Sequence, residues 1–156
     1  YLSGQPKVTC VVLLGHSEGA VVAMLAAQKV KVCGFISLSS PGRTMGDTIR
    51  AQVEHAELSK SLKARAGVIL TSLQAGKPVA LVPEELSGLQ PAAQPLLMSQ
   101  INLNPASLIQ AVKAPVLIIQ GDNDLLVSVD DAKRLAAADA FTVRCSVRSG
   151  RGAAGG

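Results

Sequence analysis

The sequence is poor in the residues that form aromatic, disulfide-rich or metal-binding sites. Its 156 residues contain no tryptophan, one tyrosine and two phenylalanines, so a pocket lined by aromatic rings is not expected. No apolar run approaches the ~20 residues that a helix needs to span a membrane. The three cysteines are odd in number and far apart, a spacing typical of neither a disulfide framework nor a metal site. We therefore expect a globular chain with an aliphatic core.

The cysteines are predicted to be free. Cys10 and Cys33 lie inside apolar runs, where a thiol packs as a small hydrophobic side chain. The two residues could also meet across adjacent strands, and the sequence leaves that alternative open.

Positive charge is concentrated near the C-terminal end. Arg144, Arg148 and Arg151 follow Ala140, where no acidic residue occurs. Without these three charges, the net charge of +4 falls to +1 for the rest of the chain. A nearly neutral body argues against a nucleic-acid partner, and we interpret the basic end as a solvated tail.

Three apolar runs predict strands, at residues 8–14, 32–38 and 116–120. They are continuous rather than alternating, which is typical of strands covered on both faces in a parallel α/β sheet. A fourth run, 141–147, alternates apolar and polar residues and predicts a half-exposed or edge strand.

Helical patterns separate these strands. Residues 17–29 are rich in Ala, Val and Leu, and residues 129–138 open with acidic residues and carry basic ones later, as the helix dipole favours. Between the second and third strands lies a long region without strand candidates, which we interpret as a helical insertion. The predicted division is therefore a core segment, this insertion, a second core segment and a divergent tail: 1–44, 45–112, 113–139 and 140–156.

The sequence Gly15-His16-Ser17-Glu18-Gly19 joins the first predicted strand to the first predicted helix. A turn this tight places the serine in a strained conformation and exposes its hydroxyl, while Gly15 and Gly19 avoid collisions with neighbouring elements. The backbone N–H of Glu18 would then face a developing oxyanion. The alternative is an ordinary helix N-cap at Ser17.

The stretch LLGHSEGAVVAMLAA resembles the nucleophile elbow of the α/β-hydrolase superfamily, and is most similar to serine-aminopeptidase-like and lipase-like members with a helical cap. SLSSPG, at 37–42, resembles the next strand end, and APVLIIQGDNDLLVS, at 114–128, resembles the strand that carries the triad acid. The resemblance covers residues 8 to about 138. It implies the C-terminal part of an α/β-hydrolase fold, a parallel sheet with a helical cap insertion.

The resemblance further implies a serine hydrolase that cleaves small-molecule carboxylic esters or amides through an acyl-serine intermediate, with no metal or cofactor. Its pattern Gly-x-x-Asp-x-x-Val selects Asp124 as the triad acid and Ser17 as the nucleophile. Asp122 is the alternative acid, although its position also suits closing the turn. Asp130 and Asp131 are expected in the first turn of the next helix.

The triad histidine is missing from the expected place. His16 precedes Ser17 and is interpreted as structural, whereas His55 lies in the insertion, before the acid. The base should fall near residue 150, but the residues after 147 are only Arg, Ser, Gly and Ala. We therefore interpret the tail after Ala138 as unrelated to the family, as a shifted reading frame would produce.

The first strands and the second oxyanion N–H are expected before Tyr1. The chain alone is accordingly predicted to be a nearly inactive fragment of a hydrolase. The alternative is an inactive pseudoenzyme or binding module with the same fold.

Overall fold

In a computed structural model, the chain forms a parallel sheet of four strands in the order β1-β2-β3-β4. The structure describes residues 1–138 and, by their backbone, residues 142–147. The strands are β1 (Val12–His16), β2 (Gly34–Leu38), β3 (Val116–Gly121) and β4 (Thr142–Val147). The helices of the described residues are α1 (Glu18–Ala27), α2 (Met45–His55), α3 (Lys60–Gln74), α4 (Gln94–Gln100), α5 (Pro105–Ile109) and α6 (Val129–Ala138), with short 3-10 turns at Leu2–Gly4 and Ser87–Leu89.

These elements confirm the predicted α/β class, because parallel strands alternate with helices along the chain. The strand predicted at 141–147 is present as β4 beside β3, at the edge of the described sheet. Its predicted half-exposure concerns side chains outside the described residues. The first strand is shorter than its apolar run, which begins at residue 8.

One face of the sheet carries the core. Phe35, Val116 and Ile118 are buried on this face and pack in one cluster with residues of α1, α5 and α6. On β2 and β3, the alternate residues that point to the opposite face are only half-buried. On β1, Val12 and Leu14 are 52% and 61% exposed. The expectation of cover on both faces therefore fails for the described residues, because the three helices of the cluster share one face.

The prediction of free, buried thiols at Cys10 and Cys33 is wrong. Their Sγ atoms form a disulfide that joins residues 23 apart in sequence, with the two Cα atoms 5.7 Å apart. Both residues are exposed. They lie before β1 and β2, where the Cys33 N–H donates to the Val11 carbonyl oxygen at 2.9 Å. Parallel pairing of the two strands thus brings the cysteines together, which is the alternative that the sequence left open.

The segment Arg43–Asn104 forms a separate helical unit with its own core. The buried members of that core are Ala66, Ile69, Leu70, Leu73, Leu86, Leu89 and Ile101. Arg50 links α2 to α3 by donating to the Gly67 carbonyl oxygen at 3.1 Å and to Gln74 Oε1 at 2.6 Å. Residues 105–112, grouped with the insertion on sequence grounds, contribute Ile109 and Val112 to the core of the sheet unit instead.

The start of α6 is attached to the segment that leaves β2. Buried Asp131 accepts the N–H and hydroxyl of Ser128 on Oδ2, at 3.0 and 2.8 Å, and the N–H of Gly42 on Oδ1, at 3.1 Å. An added Cβ at Gly42 would collide with the Asp131 backbone. Asp130 and Asp131 lie in the first turn of α6, as predicted, but only Asp131 connects two parts of the unit.

Replacing Asp131 by Ala is expected to lower the free energy of unfolding by about 2 kcal/mol or more, because the buried Gly42 N–H and the half-buried Ser128 N–H lose their acceptor. The matched control is Asp130→Ala, which removes an exposed ion pair to Lys133 and is expected to change stability far less. Urea unfolding followed by circular dichroism measures both variants. Equal losses would show that Asp131 acts only through the charge of the first helical turn.

Candidate active site

Ser17 forms a one-residue turn between β1, which ends at His16, and α1, which begins at Glu18. Its backbone has φ 52° and ψ −124°, a region that costs a non-glycine residue about 1–3 kcal/mol. Its N–H donates to the Leu38 carbonyl oxygen at 2.9 Å, and its own carbonyl oxygen accepts the Ala20 N–H at 3.0 Å. Strand β2 and helix α1 together hold the strained turn.

The hydroxyl of Ser17 is not used as a helix cap. Ser17 occupies the N-cap position of α1, but its side chain makes no capping hydrogen bond. A serine that served as an ordinary N-cap would accept a backbone N–H from the first turn of the helix. The N-cap alternative therefore loses its physical basis, and the strained conformation is left to be explained by another role.

The two glycines of the motif differ in their surroundings. A Cβ added at Gly15 would collide with the backbone of Ala20 and with the carbonyl oxygen of Gly19. A Cβ added at Gly19 would meet no heavy atom of the described residues within 4 Å. The expected steric role therefore holds for Gly15, where α1 crosses β1 at close range, and is not seen for Gly19.

Asp124 lies in the turn that follows β3, and its carboxylate accepts several hydrogen bonds. Oδ1 accepts the backbone N–H groups of Leu126 and Val127 at 2.9 and 3.0 Å, and Oδ2 lies 3.3 Å from Gln120 Nε2. Burial raises the pKa of this carboxyl. The backbone N–H groups of Val127 and Leu126 lower it, and the side chains of Ser39 and Gln120 lower it further. The net pKa therefore lies below the ordinary aspartate value.

Ser39 and Gln120 are site residues that the sequence reasoning missed. Ser39 follows β2 with φ 46° and donates its N–H to the Ile119 carbonyl oxygen at 2.9 Å. Its side chain contributes to the lowered pKa of Asp124. A polar Gln120 at the end of an apolar run was a visible signal for a special position. Nothing in the sequence indicated that Ser39 would influence Asp124.

The sheet order brings the three strand ends together. Strands β1, β2 and β3 are adjacent and parallel, so Ser17, Ser39 and Asp124 follow neighbouring strands at the same edge of the sheet. Asp122 is exposed in the same turn as Asp124. Glu18, whose backbone N–H was predicted to face an oxyanion, is the first residue of α1.

The two histidines lie in different units. His16 is the exposed last residue of β1, and His55 is the exposed last residue of α2, with Nδ1 2.8 Å from the Ala51 carbonyl oxygen. The place expected for the triad base, near residue 150, lies outside the described residues. In the described part of the chain, no group of three or more His, Cys, Asp or Glu side chains is arranged to bind a metal ion. None of its helices has the length and hydrophobicity needed to cross a lipid bilayer.

Replacing Gly15 by Ala is expected to lower the free energy of unfolding by about 2 kcal/mol or more, since the new methyl group must displace α1 from β1. Gly19→Ala is the matched control, and there the change is expected to be neutral or slightly stabilising because Ala favours the helix. Thermal unfolding of both variants measures the difference in stability. Equal stability of the two would contradict the close approach at Gly15.

The acid sensitivity of the fold should depend on Asp124. Because its folded pKa is lowered, its ionised form stabilises the protein above the ordinary aspartate pKa, and this stabilisation is lost as pH falls through the folded value. Urea unfolding should therefore show Asp124→Asn less stable than wild type at pH 7, and the difference should shrink as pH falls below the ordinary aspartate pKa. Asp122→Asn, in the same turn, controls for the loss of charge. Parallel curves for wild type and Asp124→Asn would contradict the prediction.

No protein-family model matches the sequence. No curated protein matches it either.

Solved structures do match the fold. The Pyrococcus furiosus esterase Pf2001 is 20% identical, with a TM-score of 0.55 over 96% of this chain and 49% of its own. An alpha/beta fold family hydrolase from Bacillus anthracis is 13% identical, with a TM-score of 0.54 over 89% of this chain and 59% of its own. A lipase-esterase related protein from Clostridium acetobutylicum is 17% identical, with a TM-score of 0.55 over 96% and 63%.

The chain thus spans less than two thirds of the length of each of these proteins. At such identities, the similarity is one of fold. Together with the parallel sheet and the strained turn after β1, it shows that the chain has part of the α/β-hydrolase fold.

Proposed function

We propose that the chain is part of a serine hydrolase that cleaves small-molecule carboxylic esters or amides through an acyl-serine intermediate. The observation that carries the proposal is the strained Ser17 between β1 and α1, whose hydroxyl does not cap the helix. Such strain persists only where the surrounding structure maintains it, and it is typical of functional sites. The esterases and hydrolases among the matching structures support the same class of reaction.

In the proposed reaction, Ser17 Oγ attacks the carbonyl carbon of the substrate and passes its proton to an imidazole base. The carbonyl oxygen becomes negative, and the backbone N–H of Glu18, at the positive end of α1, is one of its donors. The base then gives the proton to the leaving alcohol or amine, and water hydrolyses the acyl-serine. Asp124 accepts the other imidazole N–H and stabilises the imidazolium.

The base itself is not assigned to either histidine of the chain. His16 directly precedes the nucleophile, and His55 belongs to the helical unit rather than to the sheet unit. The proposal places the base outside the residues that the structure describes. Without a base, a residual rate is all that the chain by itself would give, because a missing triad member costs several powers of ten.

We assign the helical unit Arg43–Asn104 the role of a cap. A serine-aminopeptidase-like or lipase-like substrate range follows from the sequence resemblance, and the paucity of aromatic residues favours an aliphatic acyl group.

A second candidate function is an inactive binding module with the same fold. The observation in its favour is that the sequence contains only two histidines, neither of which follows Asp124. Both candidates retain Ser17, but only the hydrolase requires its hydroxyl to be nucleophilic.

Labelling of Ser17 by a fluorophosphonate separates the two candidates, with free imidazole added to supply the missing base. We expect mass spectrometry to find the label on Ser17 of the 156-residue chain, and imidazole to accelerate labelling about tenfold. Ser17→Ala should abolish labelling, and Asp124→Asn should remove most of the imidazole effect.

Ser107→Ala changes an exposed serine of the same unit and serves as the matched control. A folded chain that stays unlabelled with and without imidazole would overturn the hydrolase proposal and favour the binding module.

A further inference from the structure

The side chains around Asp124 do more than close a turn. Its backbone partners, the N–H groups of Leu126 and Val127, both bind Oδ1 and fix that oxygen within the turn. This arrangement is an ordinary aspartate turn and would form without help from other strands. Two side chains from outside the turn, those of Ser39 and Gln120, also act on the carboxylate. Gln120 Nε2 lies 3.3 Å from Oδ2, and both side chains contribute to the lowered pKa of Asp124.

Ser39 is one of these side chains, and its backbone is strained. Among the described residues, Ser17 and Ser39 are the two non-glycine residues with positive φ, at 52° and 46°. They follow neighbouring strands, and each donates its N–H to a carbonyl oxygen of the next strand, Leu38 for Ser17 and Ile119 for Ser39, both at 2.9 Å. Strain of this kind persists where the surrounding structure enforces it. At Ser39, the enforced conformation keeps the residue paired to β3, the strand that leads into the Asp124 turn, and its side chain contributes to the lowered pKa of Asp124.

Ser40, the next residue, is a serine at the same strand end that does not act on Asp124. Ser40 is buried, and its hydroxyl donates to the carbonyl oxygen of the adjacent Pro41 at 3.3 Å. It has no part in the Asp124 contacts. Ser40 is therefore a matched comparison for Ser39.

Gln120 is the second side chain, and it is 4% exposed. Its Nε2 lies 3.3 Å from Asp124 Oδ2 and donates to the Val127 carbonyl oxygen at 2.8 Å, so it spans the whole turn. Its Oε1 is buried without a hydrogen-bond partner in the described part of the chain. An unpartnered buried oxygen is unfavourable, and an apolar side chain would avoid it. The amide is thus retained at a cost, with its donor end directed to the Asp124 turn.

We propose that Ser39 and Gln120 are positioning residues that fix the Asp124 carboxylate towards the base that activates Ser17. The inference rests on the proposed function, since it concerns the same site. A triad acid must present a fixed oxygen to the imidazole N–H, and small displacements at such a site lower the rate steeply. Ser39 acts from β2 and Gln120 from β3, so the acid is tied both to its own strand and to the strand next to the nucleophile.

The test compares Ser39→Gly, Ser39→Ala and Gln120→Leu with wild type. Glycine removes the hydroxyl while relieving the positive φ, so that loss of the donor is separated from loss of the fold. Ser40→Ala is the matched control. Two quantities are measured: the pKa of Asp124 by carboxyl carbon NMR, and the imidazole-dependent rate of Ser17 labelling.

We expect Ser39→Gly and Gln120→Leu to raise the pKa of Asp124 and to lower the imidazole-dependent labelling rate about tenfold, with Ser40→Ala unchanged in both. Unchanged labelling in Ser39→Gly and Gln120→Leu, with wild type labelled, would overturn the positioning role and leave the hydrolase standing. An unlabelled wild type would instead overturn the proposed function. In that case an unchanged Asp124 pKa in Ser39→Gly would show independently that Ser39 does not hold the carboxylate.

Discussion

The hydrogen bond from the Ser17 N–H to the Leu38 carbonyl oxygen is the contact on which the candidate site depends. It extends the pairing of β1 with β2 by one residue beyond His16, into a conformation that serine does not adopt readily. Because α1 begins at once and lies close against Gly15, the chain has no room to relax. The strand pairing and the helix contact together keep the Ser17 backbone in its strained form.

A second strained serine follows the next strand, so two neighbouring strands end in the same way at this edge of the sheet. Ser39 extends the pairing of β2 with β3 in the way that Ser17 extends β1 with β2. Two buried polar atoms lack hydrogen-bond partners in the described residues, and they belong to β2 and β3: Ser37 Oγ and Gln120 Oε1. Strain and unsatisfied polar groups therefore concentrate near the ends of the strands, whereas the apolar cluster below them is regular. Stability is supplied by the core, and the strand ends carry the features that cost stability.

The strand and helix positions were largely predictable, because hydrophobic runs and helical periodicity are local properties. Residues 129–138 are helical as predicted, and β2 and β3 lie within or next to their predicted runs. The predictions that were wrong concern contacts between elements rather than local properties. The free thiols at Cys10 and Cys33, and the cover on both sheet faces, were inferred from apolar neighbours in sequence, although both depend on which elements meet in space. The expected steric role of Gly19 fails for the same reason. A collision there needs a neighbouring atom, and the described residues place none within 4 Å.

By itself, the sequence determined the α/β class, the turn at Ser17 between a strand and a helix, and the turn at Asp124 after a strand. Each follows from a short pattern in which glycine, apolar and acidic residues have local conformational consequences. Only the tertiary structure decided that β2 lies between β1 and β3, and therefore that Ser39 follows the strand next to the one that leads into Asp124. The order of strands in a parallel sheet is set by packing between residues far apart in sequence, and no local pattern encodes it.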